Sequence, residues 1–332
     1  MTARGWLLFS LMGVLWGIPY LLIKVAVDSD LTPSMVVFTR CALGAALLLP
    51  FAIRQGGLPG VLRTHWRPML AFACVEILGP WWTLTDAERH LSSSTAGLLI
   101  AAVPIIGALL ARFFGDTERL GRRRVTGLAL GFSGVAVLTV PHLTGGDAWS
   151  LTEVMITALG YAIAPLIAAR HLKDVPTLQL IAPCLTLAAL VYAPAAAASR
   201  PQEVPDARTL AALAALGVIC TALAFIVFLE LIREAGPTRA MVFTYINPVV
   251  AGAAGFAFLS ETLTASFAAA LALILAGSFL ATAASGPPAT GTRPAPLRVP
   301  WSARQTSRAD GRVEVLVDLP EERPGSTGQG GG

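Results

Sequence analysis

Apolar runs long enough to cross a bilayer, roughly 20 residues each, follow one another through the first 284 residues of this chain. Inside hydrocarbon every backbone N–H and C=O must find its partner within the protein, so a chain of such runs folds as helices. Charged residues make up only 13% of the sequence, against about 25% in soluble domains, and the mean hydropathy is +0.68. The fold class read from this is an all-α integral membrane protein.

Helices are expected at about 6–27, 34–53, 68–85, 92–113, 125–140, 150–169, 177–198, 209–232, 238–259 and 266–284. The first run is longer than the apolar core of a signal peptide and lacks a convincing cleavage site, so it is read as a span. Positive charge sets orientation. With the N-terminus inside, one side collects Arg4, Arg54, Arg63, Arg67, Arg112, Arg119, Arg122, Arg123, Arg124, Arg170, Lys173, Arg233 and Arg239; the other holds only Arg89, Arg200 and Arg208. This places both termini in the cytoplasm and the chain in the cytoplasmic membrane. Residues 285–332 are rich in Pro, Gly, Ser, Thr and Arg and end in GSTGQGGG, the composition of a disordered cytoplasmic tail.

The helices carry an internal echo. At an offset of 144 residues Ala96 falls on Ala240, Pro104 on Pro248 and Phe114 on Phe258. After one residue is dropped, Glu118 falls on Glu261, Leu128-Ala129-Leu130 on Leu271-Ala272-Leu273, and Gly134 on Gly277. The expected units are 1–141 and 149–284, each with five helices. An odd number of helices per unit forces the second copy to enter the membrane in the opposite sense, giving inverted-topology repeats.

Composition also excludes classes of function. The net charge of +4 comes from basic residues in short connections, where they act as topology signals; no nucleic-acid recognition motif accompanies them. Cys41, Cys74, Cys184 and Cys220 lie singly in apolar runs, and His65, His90, His142 and His171 lie at segment ends or in loops. No HExxH or Cys/His spacing arises, so neither metal nor cofactor is expected. No phosphate-binding GxxxxGK[ST] loop is present either. Intramembrane hydrolysis would need His within a span, and prenyl transfer would need clustered aspartates; both are lacking.

A charge inside a span is a functional candidate, because the bilayer core penalises it. Arg40 lies about two turns into the second helix and Glu76 near the middle of the third. Glu76 reads as a cavity group, a proton carrier or substrate contact, or else as a buried partner of Arg40. Arg40 reads as that partner or as a carboxylate-binding group. Lys24 snorkels to the interface or faces the cavity, and Glu230 is interfacial beside Arg233. Trp16, Tyr20, Trp81, Tyr161, Tyr245 and Asn247 complete the expected substrate-binding set. Trp16 is in mid-span, where interfacial anchoring does not apply; Asn247 is an amide that must find a partner. Pro104 and Pro248 bend matched helices by removing a backbone bond, while Gly134 and Gly277 are structural.

Several features together resemble the drug/metabolite transporter superfamily and its EamA-type transporters. They are Trp16-Gly17 followed by Lys24, the Pro33…Arg40 pattern, and Pro104 with Glu118 and a glycine-rich fifth helix. Ala240, Pro248, Glu261 and Gly277 repeat the last of these. The resemblance covers about 5–284. It implies alternating-access export or exchange of small polar metabolites, often amino acids. It also implies a central cavity lined by the first, third, fourth, sixth, eighth and ninth helices. Tyr161 stands where the family often has Trp, and Glu76 and Trp81-Trp82 are not general family features. The partners expected are the bilayer and a small-molecule substrate, with a proton as one candidate coupling ion. The competing reading is a membrane receptor or scaffold signalling through the tail.

Overall fold

The computed structural model describes residues 2–113, 122–145, 147–235, 243–244 and 246–282. Among these residues the regular structure is helical throughout.

Helix α1 runs Ala3–Gly17 and resumes at Pro19–Val27, interrupted where Pro19 has no N–H to donate. Helix α2, Pro33–Arg54, opens on Pro33 at its first position, with the Thr32 side chain accepting from the Met35 N–H. Helix α3 is built of Leu58–Ala73, a π-helical stretch Cys74–Leu78, and Gly79–Ala87. The π turn lies directly before Pro80. Its wider i→i+5 bonding, from Gly79 N–H to the Cys74 carbonyl, opens the turn into which the proline ring would otherwise press. Helix α4 is Ser93–Ile100 followed by Val103–Phe113. Helices α5 (Arg122–Gly145), α6 (Ala148–His171) and α7 (Thr177–Ala198) follow. Helix α8 repeats the plan of α3: Ala207–Ala214, a π stretch Ala215–Leu223, then Ala224–Ala235. Helices α9 (Asn247–Leu259) and α10 (Ala265–Thr282) close the bundle.

Two expected boundaries move. Helix α3 starts ten residues early, so Arg63 and Arg67 ride on its exposed first turns rather than in a loop. The reversal is completed by Gly56 and Gly57, whose positive φ angles of 76° and 77° need no Cβ to be accommodated, and Pro59 then seeds the new helix. Helix α5 is likewise longer than expected and takes Arg122 and Arg123 into its first turn.

Among the described residues five helices are long and apolar enough to cross a membrane: Ala3–Val27, Pro33–Arg54, Ala148–His171, Thr177–Ala198 and Ala207–Glu234. Shorter apolar stretches are Ser93–Gly107, Val125–Val137, Asn247–Leu259 and Ala265–Leu280. Large apolar side chains such as Leu7, Phe51, Leu190, Phe256 and Phe279 remain exposed on the outside of the bundle, a surface that suits lipid rather than water.

Corresponding helices of the two halves pack on each other, antiparallel. Between α2 and α7, Gly56 meets Gln179, Gly44 meets Leu185, and Thr32 meets Ser199; the first number falls as the second rises. Between α4 and α9, Gly97 meets Ala251 and Ser94 meets Gly255. Between α5 and α10, Gly131 meets Gly277 and Gly134 meets Ile274. The remaining close pairs are α3 with α6, through Thr83–Thr157 at 2.7 Å, and α1 with α8, through Ser29–Thr209 at 2.6 Å. Exchanging the halves turns one of those pairs into the other.

Small residues make these approaches possible. A Cβ on Gly97 would lie 2.6 Å from the Ala251 Cβ, and one on Gly255 would lie 2.6 Å from the Ser94 hydroxyl. At the same place Glu261, from the turn between α9 and α10, caps α4. Its carboxylate accepts from the backbone N–H of Ser93 at 2.7 Å and of Ser94 at 3.0 Å, and from the Ser94 hydroxyl. An anion at a helix N-terminus satisfies groups the helix itself cannot. Glu261→Ala is therefore expected to cost about 1–3 kcal/mol, read as a lower Tm of the purified protein; an unchanged Tm would mean that water replaces the cap. The matching Glu118 lies outside the described residues.

Candidate functional site

The polar groups converge where the two π stretches face the middle of the bundle. Arg40 on α2 is 8% exposed. Its Nε donates to the Thr221 hydroxyl at 2.9 Å, and Thr221 in turn donates to the Leu216 carbonyl at 2.8 Å. Thr221 belongs to the π stretch of α8, where the wider turn carries this i→i−5 contact. Gly44, one turn along α2, has no Cβ in the way; one placed there would be 2.8 Å from the Thr221 methyl. On the other side the Arg40 guanidinium carbon lies 3.6 Å from the ring centroid of Trp81 on α3, a cation–π contact. Helices from both halves thus hold one guanidinium.

Arg40 forms no ion pair within 4 Å among the described residues. Of the two readings of Glu76, the ion pair with Arg40 is not made among the described residues. A guanidinium offers five donors in a planar fork, and among the described residues its Nε is engaged by Thr221.

Glu76 sits in the π stretch of α3 and is partly accessible. Tyr20, in the second segment of α1, is buried. Trp81 and Tyr161 pack into one cluster with Cys41, Leu185 and Phe225. Arg40 and Trp81 are therefore brought together, with Tyr161 in the cluster that Trp81 joins.

Other expected residues are placed differently. Trp16 is embedded among Phe225, Phe228 and Phe243, with centroid separations of 5.6, 5.2 and 5.3 Å, an aromatic seam between α1, α8 and the start of α9. Asn247 opens α9 against Gly17, and its side-chain oxygen is buried without a hydrogen-bond partner among the described residues. Tyr245 lies outside the described residues. Pro104 and Pro248 each occupy the second position of a helix, after the breaks at Ala101-Ala102 and at Ile246. Gly134 and Gly277 sit in the α5–α10 seam.

Lys24 is committed rather than free. Its Nζ donates to the Glu88 backbone carbonyl at 2.8 Å, the carbonyl that ends α3, and pairs with Asp28 at 3.1 Å. Glu230 bridges Arg4 at 3.0 Å and Arg233 at 2.7 Å. Sequence reasoning passed over Thr221, one hydroxyl in an apolar run, and Glu88, which sits among Asp86, Arg89 and His90 and reads as loop. Among the described residues no cluster of His, Cys, Asp and Glu suits a metal ion.

Comparison with known proteins adds an independent line. The EamA-like transporter family matches this sequence twice, at residues 3–140 and 148–283. An uncharacterized inner membrane transporter YedA of Escherichia coli (strain K12) is 26% identical over 263 residues, covering 77% of this chain and 83% of its own. An uncharacterized transporter of Archaeoglobus fulgidus is 24% identical over 280 residues, covering 83% and 98%. A probable terminal-alkyne amino-acid exporter of Streptantibioticus cattleyicolor is 31% identical over 146 residues, 43% of this chain and 46% of that one. One solved crystal structure has the same fold, with a TM-score of 0.62 at 20% identity, over 85% of this chain and 98% of that one.

Proposed function

Since the chain belongs to the EamA-like transporter family, a family of membrane transporters, we propose that it is a secondary transporter that exports a small polar metabolite by alternating access. In this reading ten spans form two five-helix repeats of inverted topology, 1–141 and 149–284. Both termini and the tail 285–332 are cytoplasmic. The antiparallel packing of α2 on α7, α4 on α9 and α5 on α10 supports it, because inverted copies bring counterpart helices together in that sense.

The observation that carries the reading is Arg40. A buried guanidinium without an acidic partner is costly unless something else meets it. Here Thr221 from the second half and Trp81 from the first hold it, and no ion pair is made among the described residues. The substrate it suits carries a carboxylate. In this reading Glu76, Tyr20 and Tyr161 meet the rest of such a molecule, Glu76 taking an ammonium or a proton, and Asn247 offers a further acceptor on α9. An amino acid or close relative satisfies both ends, in keeping with the name of the Streptantibioticus relative. With donors from both halves on one ligand, rocking of one half against the other would close one side of the site as it opens the other.

Glu76→Gln is expected to lower transport of the substrate by at least about tenfold while leaving the amount of protein in the membrane unchanged, a loss of about 1.4 kcal/mol. Transport rates equal to those of the parent across a pH series would remove Glu76 from the mechanism.

A further inference from the structure

Helices α2 and α8 run in the same direction, from Leu43 beside Gly217 and Gly44 beside Thr221 to Arg54 and Arg233 at a shared rim. A glycine on one side or the other lets the two backbones approach at the first of these levels. Further along, both helices carry large side chains and the seam parts. It leaves a groove of about 470 Å³, within the range of roughly 300–1,000 Å³ typical of ligand sites. Its walls are apolar: Leu48 and Phe51 from α2, Ile226 and Leu229 from α8, and Leu178 from α7. Phe51 and Ile226 are 52% and 44% exposed, so the groove opens on the outside of the bundle, the surface that suits lipid.

One rim of the groove is charged. It holds Arg54 and Gln55 at the end of α2 and Glu230 and Arg233 on α8. Glu230 is shared, meeting Arg233 at 2.7 Å and Arg4 at 3.0 Å. Arg54 makes no ion pair among the described residues. The next acid along α8, Glu234, accepts from the Thr2 hydroxyl. Three guanidinium groups therefore stand against two carboxylates, and the surplus positive charge sits where the apolar wall gives way to the polar rim. Basic residues at the polar end of a cleft between spans receive anionic head groups, and a guanidinium fork grips phosphate oxygens two at a time. We propose that the groove seats one anionic phospholipid, its phosphate on Arg54 and Arg233 and an acyl chain along Phe51 and Ile226. The occupant is a lipid and not a soluble phosphate because a free phosphate would leave the apolar walls uncovered.

The test is native mass spectrometry of the purified full-length protein, released from detergent with phosphatidylglycerol or phosphatidylcholine of identical acyl chains at equal concentration. Phosphatidylglycerol should bind at one site more tightly than phosphatidylcholine. Arg54→Gln and Arg233→Gln should each weaken phosphatidylglycerol binding about fivefold and leave phosphatidylcholine binding unchanged. Arg200→Gln removes an equal charge beside the opposite end of α2, where Ser199 meets Thr32, and should behave as the parent. Ile226→Trp keeps every charge but fills the groove, and it should weaken phosphatidylglycerol binding as well. Arg54 is exposed and unpaired among the described residues, so Arg54→Gln carries the test even where Arg233→Gln, which loosens Glu230, fails to fold.

Equal binding of the two lipids, or an Arg54→Gln protein that binds as Arg200→Gln does, would overturn the proposal. Displacement of phosphatidylglycerol by an equal concentration of glycerol 1-phosphate would overturn it too, marking a site for soluble anions. A dimer in light scattering that Phe51→Ala dissociates, with neither lipid retained, would assign the groove to a second copy of this chain instead.

Discussion

Gly277→Leu is expected to abolish the folded protein. Helices α5 and α10 meet with backbone against backbone: a Cβ on Gly277 would lie 2.6 Å from both the Gly127 carbonyl oxygen and the Gly131 Cα, and closer still to the Gly131 nitrogen. A flexible side chain can step aside, but a helix backbone cannot. Overpacking of an ordinary core costs about 1–3 kcal/mol; here the helices must separate along their length, and the cost should exceed that range. The same seam loses the contact of Ser278 with the Ala101 carbonyl, made at 3.2 Å. The measurement is the yield and Tm of monodisperse protein from membranes. Gly107→Ala is the matched control, because nothing lies within 4 Å of its new Cβ, and it should behave as the parent. A Gly277→Leu protein with the parent's Tm would mean that α5 and α10 do not touch in this way.

Arg40→Gln should have the opposite signature, losing function while keeping the fold. The variant gives up the guanidinium fork and its stacking on Trp81 but retains a side chain able to reach Thr221. Removing one partner from a buried charge pair costs about 2–5 kcal/mol of binding, so affinity for a carboxylate-bearing substrate should fall at least roughly thirtyfold. Because no acid among the described residues pairs with Arg40, its loss strands no partner charge there, and the Tm should stay level or rise. Arg40→Lys keeps the charge without the planar fork and should recover only part of the binding. Collapse of the Tm in Arg40→Gln would show that the guanidinium is a structural tie and not a receptor.

Much of the architecture was legible because the bilayer imposes it. Apolar runs of spanning length admit little but helices, and the echo of Pro104 in Pro248 and Gly134 in Gly277 foretold paired helices. The π stretches were not legible. Pro80 marks the one in α3, but Ala215–Leu223 has no proline, and its register slip arises where α8 packs against α2 through Gly217 and Leu43. At the site, Arg40 and Trp81 were each picked out by depth and residue type, yet their stacking depends on the rotation of α2 against α3. Trp16 was chosen by the same logic and is instead held among phenylalanines distant in sequence. Glu88 was hidden by its neighbours: Asp86, Arg89 and His90 give a polar string that reads as solvated turn, whereas the tertiary fold turns only Glu88 inward.

The central claim is that this chain moves a small carboxylate-bearing metabolite across the membrane through the Arg40 site. The most direct test compares the metabolite content of cells and medium for hosts carrying the parent protein, Arg40→Gln, or neither. The account predicts that at least one such metabolite shifts from cells to medium with the parent and stays in the cells in the other two. No shift with the parent, or the same shift with Arg40→Gln at equal protein level, would contradict it.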